Sequence, residues 1–103
     1  MGRKIELEFY DKKYVIEYNR SSVREVLNNK SDDDLENAII LIKSGLVMHH
    51  KDELPSDEEI FAWVMALGDD ISEFANALRE MVQGVLDTFK EDRKNLKWGK
   101  VEA

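Results

Sequence analysis

The sequence contains no cysteine, one proline and only five glycines, and each shortage narrows what the chain is able to be. Without cysteine there are no disulfides, and nothing argues for secretion into an oxidising compartment. The scarce glycines form no Gly-x-Gly-x-x-Gly fingerprint, phosphate loop or Gly-x-Ser-x-Gly elbow, so the common nucleotide and hydrolase signatures are missing. The Asp-x-Asp-x-Asp-Gly spacing of a calcium loop is missing too. No apolar stretch approaches the roughly 20 residues that span a bilayer. The opening Met1-Gly2-Arg3-Lys4-Ile5-Glu6-Leu7-Glu8 alternates polar with apolar instead of building a signal-peptide core. The expectation is a soluble cytosolic protein with no membrane partner.

Of the 103 residues, 43% are hydrophobic, close to the globular norm, which predicts one folded domain over residues 1–103. Charged residues reach 36% and carry a net charge of −7. That charge is concentrated: from Asp32 to Glu73 twelve acids face only Lys43 and Lys51, a local net of −10. Such a middle repels a polyphosphate backbone, so nucleic acid is disfavoured as a partner. The basic residues near the end, Lys90, Arg93, Lys94, Lys97 and Lys100, are too sparse to reverse this.

Periodicity predicts an α+β fold. Ile5, Leu7 and Phe9 alternate with Lys4, Glu6 and Glu8, and Tyr14, Ile16 and Tyr18 alternate with Lys13, Val15 and Glu17. A two-residue turn at Tyr10-Asp11 would pair Phe9 with Lys12, Leu7 with Tyr14 and Ile5 with Ile16, giving a hairpin over residues 4–18 with one apolar face; because Tyr-Asp is not a preferred turn pair, a longer loop through Lys13 is the alternative. A hairpin alone is marginal and requires helices against that face. About four helices are expected over residues 22–94. The first opens with the capping-box spacing of Ser22-Val23-Arg24-Glu25. The second opens at Ser31 with Asp32, Asp33 and Asp34, carries Leu35, Ala38, Ile39, Ile42 and Leu46, and ends before Leu54-Pro55. The third runs from Ser56 to a stop at Gly68. The fourth and longest carries an apolar stripe from Ile71 to Phe89. Residues 95–101 read as a short third strand, through Leu96 and Trp98, or as a mobile tail.

Three groups of residues are candidates for chemistry or binding. His49 and His50 are the only histidines, with Asp52 nearby. Adjacent helical residues point about 100° apart, so the two rings do not converge on one ion as an i, i+4 pair does. The expectation is no metal and no cofactor, with a small metal-dependent enzyme using His49 and His50 as an alternative. The acid clusters Asp32–Asp34, Asp57–Glu59 and Asp69–Asp70 each begin a helix, where carboxylates cap free amides and complement the dipole. No catalytic residues emerge. The surplus of aromatics and methionines is more informative: Ile60, Phe61, Trp63, Val64 and Met65 cover over half of the third helix, so its surplus apolar side is either deep core or a binding surface. On the second reading Phe61, Met65, Trp63 and Met48 are the candidate partner-binding residues.

The segment from Lys4 through Phe9 and from Lys12 through Tyr18 to Asn19-Arg20-Ser21-Ser22 resembles the start of small tail assembly chaperones of long-tailed bacteriophages and prophages of Gram-positive bacteria. Gly45-Leu46-Val47-Met48-His49-His50-Lys51, Leu54-Pro55-Ser56-Asp57-Glu58-Glu59-Ile60, Leu67-Gly68-Asp69, Leu78-Arg79-Glu80-Met81 and Asn95-Leu96-Lys97-Trp98 extend the likeness along nearly the whole chain. The chain departs from that family at the hairpin turn, where Tyr10-Asp11 replaces the usual Asn-Gly, and at Val82, where a tyrosine is usual. The resemblance implies a non-catalytic protein of the host bacterial cytoplasm, absent from the mature virion. Such a protein coats the tape measure protein and recruits tail-tube subunits, and related chaperones also assemble with themselves as homo-oligomers. A structural head–tail or tail component is the second reading.

Overall fold

The computed structural model describes residues 3–101 and is α+β, as the periodicity predicts. Strands β1 (Ile5–Phe9) and β2 (Lys12–Ile16) are followed by helices α1 (Arg20–Asn28), α2 (Asp34–His50) and α3 (Asp57–Leu67). A single 3-10 turn (Gly68–Asp70) then leads without a loop into α4 (Ile71–Asn95). The strands pair antiparallel with Ile5 opposite Ile16, Leu7 opposite Tyr14 and Phe9 opposite Lys12, the register read from the alternation. Tyr10 (φ 49°) and Asp11 (φ 66°) both take left-handed backbone, the form that lets a two-residue turn follow the twist of the strands.

Three local expectations are corrected. Helix α1 begins two residues earlier than Ser22: Asn19 is its cap, and its side chain accepts the Ser22 amide while the Ser22 hydroxyl faces the Asn19 amide. The capping box is therefore Asn19–Ser22, because an amide side chain caps as well as a hydroxyl does. For α2 the cap is Asp33, which accepts from the Leu35 amide, and Ser31 instead anchors the preceding turn to Asn37. No third strand forms among the described residues: the sheet stays two-stranded and α4 runs through Asn95. Leu96 leaves the helix with an extended backbone, and residues 96–101 are exposed and carry no regular secondary structure.

The core is built where the apolar face of the hairpin meets α2. Tyr14, Ile16 and Tyr18 from the hairpin and its exit pack with Leu41, Ile42 and Leu46 of α2, Ile60, Trp63 and Val64 of α3, and Leu78, Met81 and Val82 of α4. Helix α1 closes one side through Val23 and is tied to α4 by Arg20, whose guanidinium lies 4.2 Å above the Phe89 ring and 2.8 Å from Asp92. Beyond Leu86 the last turns of α4 are exposed. This projection makes the molecule 62 Å long and gives a radius of gyration of 16.3 Å, against about 13 Å for a compact chain of 100 residues.

The closest approach in the core lies between β2 and α2. A Cβ added at Gly45 would stand 2.5 Å from Ile16 Cγ2 and 2.9 Å from Tyr18 Cζ. Both neighbours are buried and neither can swing aside. Gly45→Ala gains up to about 1 kcal/mol of helix propensity but overpacks this contact by about 1–3 kcal/mol. The expected net result is a lower denaturant midpoint in chemical unfolding; a midpoint equal to or above that of the parent contradicts the contact.

Candidate functional site

The surface of α3 sorts the ambiguous apolar residues. Ile60, Trp63 and Val64 turn inward, while Phe61 (42% exposed) and Met65 (63% exposed) stand one turn apart on the outer face. Trp63 is corrected from surface to core. It is 4% exposed and packs on Tyr14 and Phe9, with ring centroids 4.8 and 6.0 Å away. The reason is its three-residue step from Ile60, which places both on the side facing the hairpin. Met48 is partly exposed on the last turns of α2. The candidate residues thus divide into an exposed pair on α3, a separate methionine on α2 and a core tryptophan.

Acidic groups border the exposed pair. Ser56 caps α3 by accepting the Glu59 amide, and Asp57, Glu58 and Glu59 occupy its first turn, where carboxylates meet the positive end of the helix dipole. Asp57 also receives Lys43 of α2 at 2.9 Å. That exposed pair contributes little to stability but marks the end of a groove between α1, α2 and the start of α3. The groove measures about 730 Å³ and includes Ile39, Ile40, Val47 and Leu54 in its lining, with Glu25 and Glu36 on its walls. Leu54 was missed as a surface residue because its place before Pro55 reads only as a helix stop; an apolar residue in a polar interhelix turn is the signal that finds it. Val47 is likewise partly exposed.

The histidines have structural duties. His50 Nε2 accepts the Val15 amide at 2.9 Å, and His49 Nε2 lies 2.8 Å from Glu17 Oε1. The last turn of α2 therefore clamps the outer edge of β2, and the two ring centroids stay 6.5 Å apart. Among the described residues no three His, Asp or Glu side chains are grouped to hold a metal ion. No helix among them is long and apolar enough to cross a membrane.

Burial, followed by the Glu59 carboxylate, raises the phenol of Tyr14, which hydrogen-bonds toward Glu59 at 3.5 Å. Burial alone pushes the Tyr18 phenol well above its ordinary value of 10.0, and its hydroxyl donates to the Leu41 carbonyl at 2.5 Å. Asp87 is lowered by a hydrogen bond from Gln83, a surface effect remote from α3. These shifts belong to core phenols and a helix surface, and they do not converge on one reactive centre. Comparison with known proteins adds no guide: no family model, no curated protein and no solved structure matches this chain.

The Tyr18 shift has a readable consequence. The folded state holds the phenolic proton more tightly than the unfolded chain, so above pH 10 the folded state binds more protons and stability falls as pH rises. The single group contributes a slope of about 1.4 kcal/mol per pH unit once the unfolded phenol is ionised. Tyr18→Phe should unfold more easily at neutral pH by about 1 kcal/mol for the lost hydrogen bond and show a shallower loss of stability above pH 10. Parallel alkaline profiles for the two proteins would disprove the assignment.

Proposed function

We propose that this protein is a non-catalytic holder of another protein, of the phage tail assembly chaperone kind, whose partner is a tape measure protein. The observation that carries the reading is the Phe61–Met65 pair, an exposed apolar ridge on a helix with an acidic first turn. A tape measure protein is long, helical and apolar, so an unassembled copy exposes surface that aggregates. A flexible methionine beside a flat aromatic ring adapts to the varied faces of such helices. The acidic stretch from Asp32 to Glu73 keeps the resulting complex dispersed by net charge. Met48, Val47 and Leu54 supply further exposed apolar surface at the α2–α3 junction. Recruitment of tail-tube subunits, residence in the host cytoplasm and absence from the finished virion belong to the same proposal and rest on the sequence resemblance.

The reading requires a tape measure protein encoded in the same genome, and co-expression and pull-down with it test the reading. Phe61→Asp and Met65→Asp should each weaken capture by about tenfold or more, the loss expected for a central apolar anchor. Their helical circular dichroism should match the parent because both side chains already face solvent. Undiminished capture by the folded variants excludes this ridge as the holding surface.

A further inference from the structure

The hairpin has one clamped edge and one open edge. With a two-residue turn, Phe9 and Lys12, Leu7 and Tyr14, and Ile5 and Ile16 exchange the ladder hydrogen bonds. The Val15 and Glu17 amides point away from β1 and are taken by His50 and by the Gly45 carbonyl at 2.9 Å. On the other side, the outward main-chain groups of Glu6 and Glu8 find no main-chain partner among the described residues. An open strand edge of this kind is a template for another extended chain. Beside it lies an apolar cleft of about 160 Å³, lined by Leu7, Phe9, Trp63, Leu67 and Phe74 among others. That is below the roughly 300 Å³ of a small-molecule pocket and suits a large side chain.

The chain also carries a segment that matches this edge. After α4, Leu96 is already extended (φ −91°, ψ 119°), and Leu96 and Trp98 are 72% and 83% exposed, with no core of their own. Two residues apart, they fall on one face of a strand while Lys97 falls on the other. The edge has the complementary arrangement: Leu7 and Phe9 on the cleft face, Glu6 and Glu8 on the opposite one. Lys13, paired with Glu8, lies one strand further in. The acids Asp69 and Asp70 follow Leu67 at the cleft, and Lys100 adds a second positive charge to the tail. The exposed end of α4 holds the tail out from its own body, which favours a neighbouring molecule as the acceptor.

We propose that residues 96–101 of one copy add as a strand to the outer edge of β1 in a second copy, with Leu96 and Trp98 over the apolar cleft and the tail lysines against the acids at its border. The contact is heterologous, joining two different surfaces, so it propagates from copy to copy or closes into a ring. It does not depend on which partner α3 holds.

Light scattering of the full chain across a concentration series tests this. The mass should rise from 12.0 kDa toward at least a dimer with concentration and fall again at high salt, which screens the charge pairing. Trp98→Asp, a change in an exposed residue, should raise the dissociation constant by about 30-fold or more. Two charge-reversed proteins give the decisive arm. Glu6→Lys/Glu8→Lys and Lys97→Glu should each stay monomeric alone, because the side chains that meet on that face of the new strand pair then share a sign, and should associate when mixed. A parent chain that remains monomeric at every concentration overturns the proposal. So does association insensitive to Trp98→Asp, or a mixture of the reversed proteins that fails to associate.

Discussion

The contact on which the rest of the structure depends is the seam between β2 and α2. A two-stranded hairpin has little stability of its own, and here it is held by direct apposition of strand and helix. Gly45 lets the α2 backbone come within reach of Ile16 and Tyr18, and its carbonyl takes the Glu17 amide. One turn later His50 takes the Val15 amide and His49 meets Glu17. The helix covers this strand edge and itself supplies the acceptors for the Val15 and Glu17 amides, which, half-buried, would be costly to leave unpaired. With the hairpin fixed, its apolar face becomes the floor on which Trp63 of α3 and Leu78 of α4 are packed.

Much of the scaffold was legible because its signals are local. Period-two alternation set the register of the hairpin to the residue, and Ser56, Pro55 and Gly68 bounded α3. The caps of α1 and α2 were displaced because several adjacent polar residues, Asn19 with Ser22 and Ser31 with Asp33, compete for the same role, and backbone geometry rather than composition selects among them. Trp63 was misplaced for a different reason. A helix with five apolar residues in six positions has no single apolar face until the neighbours choose one, and here Phe9 and Tyr14 recruit the indole. The function of the histidines was not legible at all, since hydrogen bonds between residues 35 and 32 apart in sequence leave no local mark. The tail reads as a strand pattern, and Leu96 does leave α4 extended, yet its own sheet is not where it lies.

The molecule that results is asymmetric in charge and in hydrophobic exposure. Acids gather at the starts of α2, α3 and α4, while the last turns of α4 and the tail are basic. Asp33 caps α2 through its side chain, and the acids in the first turns of α2 and α3 complement the helix dipoles, whereas Asp70 makes no side-chain cap at the start of α4. Exposed apolar groups lie on α3, at the end of α2 and in the tail, outside the core that holds the chain together. The proposed holding of a partner by α3 draws on side chains that folding leaves exposed, while the proposed strand exchange seats an exposed tail over a cleft whose walls, Leu7, Phe9 and Trp63, also pack the core.

Amide hydrogen exchange in the native protein tests the central role of the seam most directly. If α2 clamps β2 as described, the Val15 and Glu17 amides exchange only with global opening, as slowly as the amides of the buried turns of α2. Exchange of those two amides as fast as that of Tyr10 and Asp11 at the hairpin tip would show that the hairpin opens independently of the helix, and would contradict it.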